Sequence, residues 1–481
     1  MSTTDTPATA IPARPAAAKS PLVVDRLTGE DLSMLWPDRL GWPQDIGVIA
    51  VLDATPIVDS AGRLRIARVR AAIAGRLHLV PRLRQILYDP PLGAGRPLWV
   101  DAHDFDIADH VHVLTLPEPA DEQQLLHVCE GLRRRRLDRS RPLWQLWLLP
   151  GLPRGRVGMF MKLHHVVADG VAGMALFGAL LDPTPTPTPT TPPARPWTPW
   201  PAPPLARLVA DNLRRRINGF AARTARLAHP ARTVRRMRAG ASALAELIRQ
   251  ERAPDCGLNR PIGADRAIGL ARGDLATVKH LAHSAGATVN DVVLATIATA
   301  LRDLLQSRGD TVEGLVLRAA VPVSLHGTKA GPAQGNMDAG MMVALPIGEP
   351  DAAARLKVIA ADSRRRKAGA LRLAGSGISA SVTARRLMLR MMARQHMANV
   401  YLANVPGPST PLHLAGARIL EMFPVVPLTG NVTLGIGVLS YAGQLNAAVV
   451  ADPHAIPDLP VFLTGLQRAL TELRPANQHT P

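Results

Sequence analysis

Lys162-Leu163-His164-His165-Val166-Val167-Ala168-Asp169-Gly170 is the most informative stretch of the 481-residue chain. It continues residues 157–163 (VGMFMKL), which alternate like a half-buried strand, and it precedes Val171 to Leu181, which has the spacing of a helix. Two histidines therefore end a strand, a carboxylate lies four residues beyond the second, and Gly170 follows, a residue that permits a backbone turn closed to others.

Such a site suits base catalysis. A neutral imidazole titrates near the working pH, so it can take a hydroxyl proton as the oxygen attacks a carbonyl, then return it to the leaving group. No serine or cysteine nucleophile is required. Two plainer readings compete. Metal ligation is disfavoured, because neighbours on an extended segment point to opposite faces and no Glu or further His stands nearby at helical ligand spacing. A buried histidine satisfied by the backbone is the other, and the residues alone leave structure and catalysis both open.

Outward from this stretch the chain divides at a linker. Residues 183–204 contain 11 Pro, including the run Pro183-Thr184-Pro185-Thr186-Pro187-Thr188-Pro189, which favours extended polyproline geometry. The expected organisation is a disordered tail (1–20), an N-terminal domain (21–182), the Pro/Thr linker (183–204), a basic helical segment (205–254) and a C-terminal domain (255–475). In the C-terminal half, residues 274–284, 290–306, 351–367 and 458–473 read as helices. Residues 315–323, 341–346, 398–405, 432–440 and 444–451 read as strands. Both halves are thus α/β or α+β, without short repeats.

Composition narrows the functional classes. At 47% hydrophobic and 20% charged the chain is globular, and no run of about 18 apolar residues or signal-like block is present, which points to a cytoplasmic address. Cys129 and Cys256 are too few for a disulfide framework or a Cys-rich zinc site. A net charge of +18 invites nucleic acid, but only about 3% of residues are aromatic, so stacking platforms for bases are scarce. Half of the surplus lies between Arg207 and Arg252, where twelve Arg face three acids (Asp211, Glu246, Glu251). Leu205, Leu208, Val209 and Leu213 share that segment, so it reads either as a membrane-surface helix or as a solvated helical face. Arg133 to Arg136 and Arg364 to Lys367 read as solvated helical faces, with contact to a phosphate-bearing substrate as the alternative.

Taken together, the motifs resemble a known family. HHVVADG matches the HHxxxDG signature of the acyl-CoA-dependent acyltransferase superfamily, which includes chloramphenicol acetyltransferase-like enzymes and peptide-synthetase condensation domains. Leu137-Asp138-Arg139-Ser140-Arg141-Pro142-Leu143-Trp144, Val289-Asn290-Asp291, Val321-Pro322-Val323-Ser324, Gly335-Asn336 and Asn404-Val405-Pro406-Gly407-Pro408 resemble blocks of the bacterial wax ester synthase/diacylglycerol acyltransferase family. Ser440-Tyr441-Ala442-Gly443 and Pro457-Asp458 extend the likeness, in order, from about residue 23 to 475.

The resemblance implies two chloramphenicol acetyltransferase-like domains with an active-site channel between them, acyl-CoA as donor, and diacylglycerol or a long-chain alcohol as acceptor. It implies His165 as general base, His164 shaping the site, and Asp169 fixing the motif through a buried ion pair, often with Arg. Asn290 and Asp291 would support the site from the C-terminal domain. No metal or cofactor is implied. It also suggests peripheral association with a membrane or lipid inclusion. Independently of the family, Thr288 and Asp291 have capping-box spacing, which gives Asp291 a helix-starting role. Pro142-Leu143-Trp144 and Asn404 to Pro408 read as scaffold, a buried Trp and a Pro-Gly turn. One block departs from the family: Trp42-Pro43-Gln44-Asp45-Ile46-Gly47 stands where many members have a Pro-Met-His-type stretch. Alternatives are an acyltransferase for another lipid or carrier-bound acceptor, and a non-catalytic lipid-surface-binding paralogue.

Overall fold

Two six-stranded sheets carry the molecule. The first runs β11 (His413–Leu414), β12 (Ala417–Val425), β1 (Asp45–Asp53), β6 (Arg156–His164), β5 (Trp144–Pro150), β4 (Val111–Val113). The second runs β7 (Ala267–Asp274), β14 (Gln444–Ala451), β13 (Leu434–Tyr441), β10 (Val400–Pro406), β8 (Val316–Ser324), β9 (Asp338–Pro346), and β2 (Gln85–Tyr88) pairs with β3 (Leu98–Asp101). Among the described residues the α-helices are α1 (Gly29–Arg39), α2 (Ile66–Ala74), α3 (Glu122–Arg134), α4 (Gly170–Ala179), α5 (Leu205–Leu227), α6 (Leu275–Ser284), α7 (Val289–Ser307), α8 (Ala352–Gly375) and α9 (Leu459–Thr471).

This computed structural model describes residues 24–186, 197–227, 234, 238, 252–324, 338–375 and 392–473. The 1–20 tail, the middle of the Pro/Thr linker, most of the basic segment beyond Leu227, and Gly335-Asn336 lie outside the described residues.

The strand ending in the two histidines differs from expectation. From Val157 to His164, β6 is buried throughout, because it lies between β1 and β5 with apolar material on both faces. Val157, Met159, Met161 and Leu163 join the N-terminal core, while Phe160 packs with Leu125, Cys129 and Leu132 of α3. Lys162 shares that second face and is 1% exposed; its Nζ donates to the carbonyls of Leu132 (3.0 Å) and Arg135, so the C-terminal end of α3 absorbs the charge. The Arg133–Arg136 run is correspondingly not all solvated: Arg133 is buried in a two-point pair with Glu130 at 2.7 and 3.0 Å.

The sheets do not follow the two halves of the chain. β12 comes from the C-terminal half yet pairs antiparallel with β1, Gly47 opposite Val425, so residues 413–425 complete the first sheet. A third apolar cluster then joins the halves, with Ile49 and Phe160 beside Phe423, Val425, Ala448 and Val450. Where the sheets cross, a Cβ on Gly437 of β13 would stand 2.2 Å from the Pro424 carbonyl oxygen. Backbone faces backbone there, so neither side can rotate away. Gly437→Ala is expected to lower unfolding free energy by about 2 to 3 kcal/mol, measured by chemical denaturation.

The second core is built on α7. Thr288 Oγ1 accepts from the Asp291 N–H (3.2 Å) and Asp291 Oδ2 accepts from the Thr288 N–H (2.9 Å), the reciprocal capping expected from the sequence. Val292 to Leu305 then bury one apolar residue after another against β8, β10 and α9. Among the described residues no single helix is long and apolar enough to cross a membrane. The pair α6 and α7 passes that test only together, bent by 102°, and its apolar side chains fill this core.

Candidate active site

His164 ends β6 and His165 begins the turn that follows, and the two histidines line different cavities. His164 lies on the α3 side and is 3% exposed. Its Nδ1 accepts from the Val166 N–H at 3.0 Å, which leaves the proton on Nε2, and Nε2 donates to Asp38 Oδ2 at 3.0 Å. Asp38 also receives Arg139 (2.8 Å) and the Gln44 N–H (3.1 Å). Burial works against ionisation of Asp38, yet the hydrogen bond from His164, then those from Arg139 and the Gln44 N–H, hold its carboxyl below the usual range.

A pH dependence follows from that shift. A carboxylate lowered in the folded state adds stability above its unfolded value near 3.8, and loses it as pH falls through the folded value. Asp38→Asn is expected to cost about 1 kcal/mol at neutral pH, reduced for the partial exposure of the Asp38 and Arg139 side chains. Urea titrations of both proteins should show that gap closing once the pH drops below 3.8.

His165 faces the other way. Its backbone N–H donates to Gln44 O at 2.7 Å, and its side chain lines a cavity of about 100 Å³ where the two sheets and α4 meet. Ile46 and Val48 of β1, Met174 and Phe177 of α4, Asn404 and Val405 of β10, and the Pro424–Pro427 segment form the walls. Besides His165, the only polar side chains in this lining are Tyr401 and Asn404; among the described residues it includes no Ser, Thr, Cys, Lys or carboxylate. That volume is about three waters' worth, room for the reacting groups, and a long acyl chain needs the apolar walls to part.

The other sequence candidates take distinct places. Asp169 is fully buried and is the N-cap of α4, its Oδ1 accepting from the Ala172 N–H at 2.9 Å; it is not part of the cavity lining. Gly170 lines the cavity, but its backbone is not in the left-handed region, so the expected special turn is absent. Glycine matters there because a Cβ would stand 3.2 Å from Val405 Cγ2 across the seam. Asn290 sits one step behind the cavity, its Oδ1 accepting from Asn404 Nδ2 at 3.4 Å, and Asp291 starts α7.

The structure also brings in residues that the sequence reading passed over. Asn404 reads as scaffold in the sequence because Pro406-Gly407 dominates its local pattern, yet it lines the same cavity as His165. Gly407 explains that pattern separately, since a Cβ there would meet Ser440 O at 2.3 Å. Gln44 and Asp38 act on the two histidines from more than a hundred residues away, so no local spacing marks them. Trp144 is scaffold as expected: it is fully buried, with Nε1 donating to Leu83 O at 2.8 Å.

Residues 27–293 match the wax ester synthase/diacylglycerol acyltransferase catalytic domain, and residues 334–474 match the WS/DGAT C-terminal domain. The chain belongs to the wax ester synthase/diacylglycerol acyltransferase family. A WS/DGAT relative, tgs1 of Mycobacterium tuberculosis H37Rv, is named a probable diacylglycerol O-acyltransferase and is 32% identical over 449 residues, covering 89% of this chain and 90% of the relative. Among solved structures, the wax ester synthase/diacylglycerol acyltransferase of Marinobacter aquaeolei VT8 superposes with a TM-score of 0.65 at 24% identity, over 93% of this chain and 98% of that one. The first condensation domain of the calcium-dependent antibiotic synthetase gives 0.59 at 17%, over 94% and 97%. These structural likenesses carry the fold, a mixed α/β arrangement that the WS/DGAT chain shares with condensation domains of the chloramphenicol acetyltransferase type. Family membership makes it an acyltransferase acting on lipid.

Proposed function

We propose that the protein transfers a long-chain acyl group from acyl-CoA directly to the hydroxyl of diacylglycerol, forming triacylglycerol, or of a long-chain alcohol, forming a wax ester. The observation that supports this most is the cavity lining: an imidazole from HHVVADG in a mostly apolar seam whose other polar side chains are Tyr401 and Asn404, with no serine, threonine, cysteine or lysine among its described lining residues. In this reading His165 takes the acceptor's proton as its oxygen attacks the thioester carbonyl. The C–O bond forms, the C–S bond breaks, and the thiolate leaves with the proton returned by the imidazolium. Asn404 donates an N–H to the carbonyl oxygen as charge develops. His164, Asp169, Gly170, Asn290 and Asp291 hold this arrangement and take no proton. The steps use no cofactor. The acceptor is met at the surface of a membrane or lipid inclusion, from the cytoplasmic side.

Purified protein offered palmitoyl-CoA with hexadecanol and with diacylglycerol in parallel tests the acceptor assignment by thin-layer chromatography of the products. Ester formed with either lipid is the expected result. Turnover only with a carrier-bound donor or acceptor would favour the other branch of the superfamily.

A further inference from the structure

Helix α5 is fixed to the N-terminal half by one face and leaves its apolar stripe on another. Leu208, 1% exposed, packs with Val24, Leu98 and Val100. Asp211 pairs with Arg26 at 2.7 Å, both buried, and Asn212 Nδ2 donates to Gly93 O at 2.8 Å. Around the helix from this anchor, Leu205, Val209, Leu213, Ile217 and Phe220 recur at steps of four, four, four and three. They are 54, 45, 57, 58 and 69% exposed. Leu92, fully exposed, lies on the loop that Asn212 holds, and Trp200, 54% exposed, stands just before the helix. Scattered exposed leucines need no explanation, but a four-turn stripe on an anchored helix does.

Charge indicates what covers it. α5 carries six Arg and one acid, and that acid, Asp211, is already engaged by Arg26, Arg214 and Arg215. A second copy of the chain docking here through a two-fold axis would set arginine rows against each other. An anionic lipid surface accepts both features, apolar tips below the headgroups and guanidinium groups among the phosphates.

We propose that the Leu205–Phe220 stripe of α5, with Leu92 beside it, is the face by which the enzyme lies on anionic lipid. The proposal rests on the lipid-acceptor reading for its purpose, while its geometry is independent of the chemistry at His165.

The test is flotation of the full-length protein with vesicles of phosphatidylcholine alone and of phosphatidylcholine mixed with phosphatidylglycerol. Two variants accompany it: Leu213→Ser/Ile217→Ser/Phe220→Ser, and Arg216→Glu. All four positions are exposed, and circular dichroism with a melting curve checks the fold. Wild type should float with the anionic vesicles. The triple variant should bind them about a hundredfold more weakly, and Arg216→Glu should lose part of the preference for anionic lipid. Undiminished flotation of the triple variant would overturn the proposal. So would a dimer in the wild type, seen by sedimentation velocity, that the triple variant dissolves. Turnover of palmitoyl-CoA with a short soluble alcohol, read on the same samples, separates the claims. Unchanged turnover with lost flotation supports the surface; absence of all turnover in the wild type counts against the acyl-transfer reading and leaves the flotation result standing.

Discussion

His165→Ala should lower kcat for acyl transfer by about a thousandfold while the melting temperature stays within a few degrees of wild type. The size follows from what is removed. An alcohol hydroxyl is a poor nucleophile until its proton is accepted, and among the described residues the cavity lining offers no second carboxylate, amine or imidazole: its other polar side chains are Tyr401 and Asn404. The backbone bond from the His165 N–H to Gln44 O at 2.7 Å, which alanine keeps, should hold the chain at this position in both proteins. His164→Ala should behave differently. It removes the Asp38 bond and the acceptor for the Val166 N–H, so its first effect is on stability. Comparing kcat and melting temperature for the two variants separates base from scaffold, and a His165→Ala protein with near-normal kcat would remove the proposed base.

Asn404→Ala should lower kcat by about a hundredfold and change KM little. When the hydroxyl oxygen adds to the thioester, the carbonyl oxygen becomes an oxyanion within a seam of Val, Met, Phe and Pro side chains that stabilise no charge. Asn404 supplies an amide already oriented by Asn290 Oδ1 at 3.4 Å, so little reorganisation is needed when charge appears. Removing one such donor typically costs a factor of this order. Asn290→Ala should show a smaller loss in the same parameter, since the donor stays and only its orientation is released. An Asn404→Ala effect confined to KM would place the residue in ground-state binding instead.

Much of the fold was legible because periodicity and capping are local. The strand after Val157, the helix after Asp169, the α7 helix with its Thr288–Asp291 cap and the β13–β14 hairpin all follow from residues within one turn or one strand of each other. What escaped depends on partners far away in sequence. Nothing near residues 413–425 announces that they pair with β1, because an apolar strand suits either sheet. The burial of Lys162 follows from α3 ending over it, and the reason for Gly170 is Val405 across the seam rather than a turn. The same distinction divides the site. HHVVADG points to the histidine through its resemblance to the HHxxxDG signature, whereas Asp38, Gln44 and Asn404 join it only through tertiary pairing. The basic segment reads from sequence as either a membrane-surface helix or a solvated face, and in its described part Leu213, Ile217 and Phe220 are exposed, the observation on which the proposed lipid-facing surface rests.

The central claim is direct transfer from acyl-CoA to a hydroxyl, with no acyl group resting on the enzyme. Its most direct measurement is the release of coenzyme A thiol in the first turnover, at enzyme concentrations comparable to acyl-CoA, with and without acceptor. No thiol burst is expected in the absence of acceptor, and release should be matched one to one by ester when alcohol or diacylglycerol is added. A burst approaching one thiol per enzyme without acceptor would reveal a covalent acyl-enzyme and contradict it.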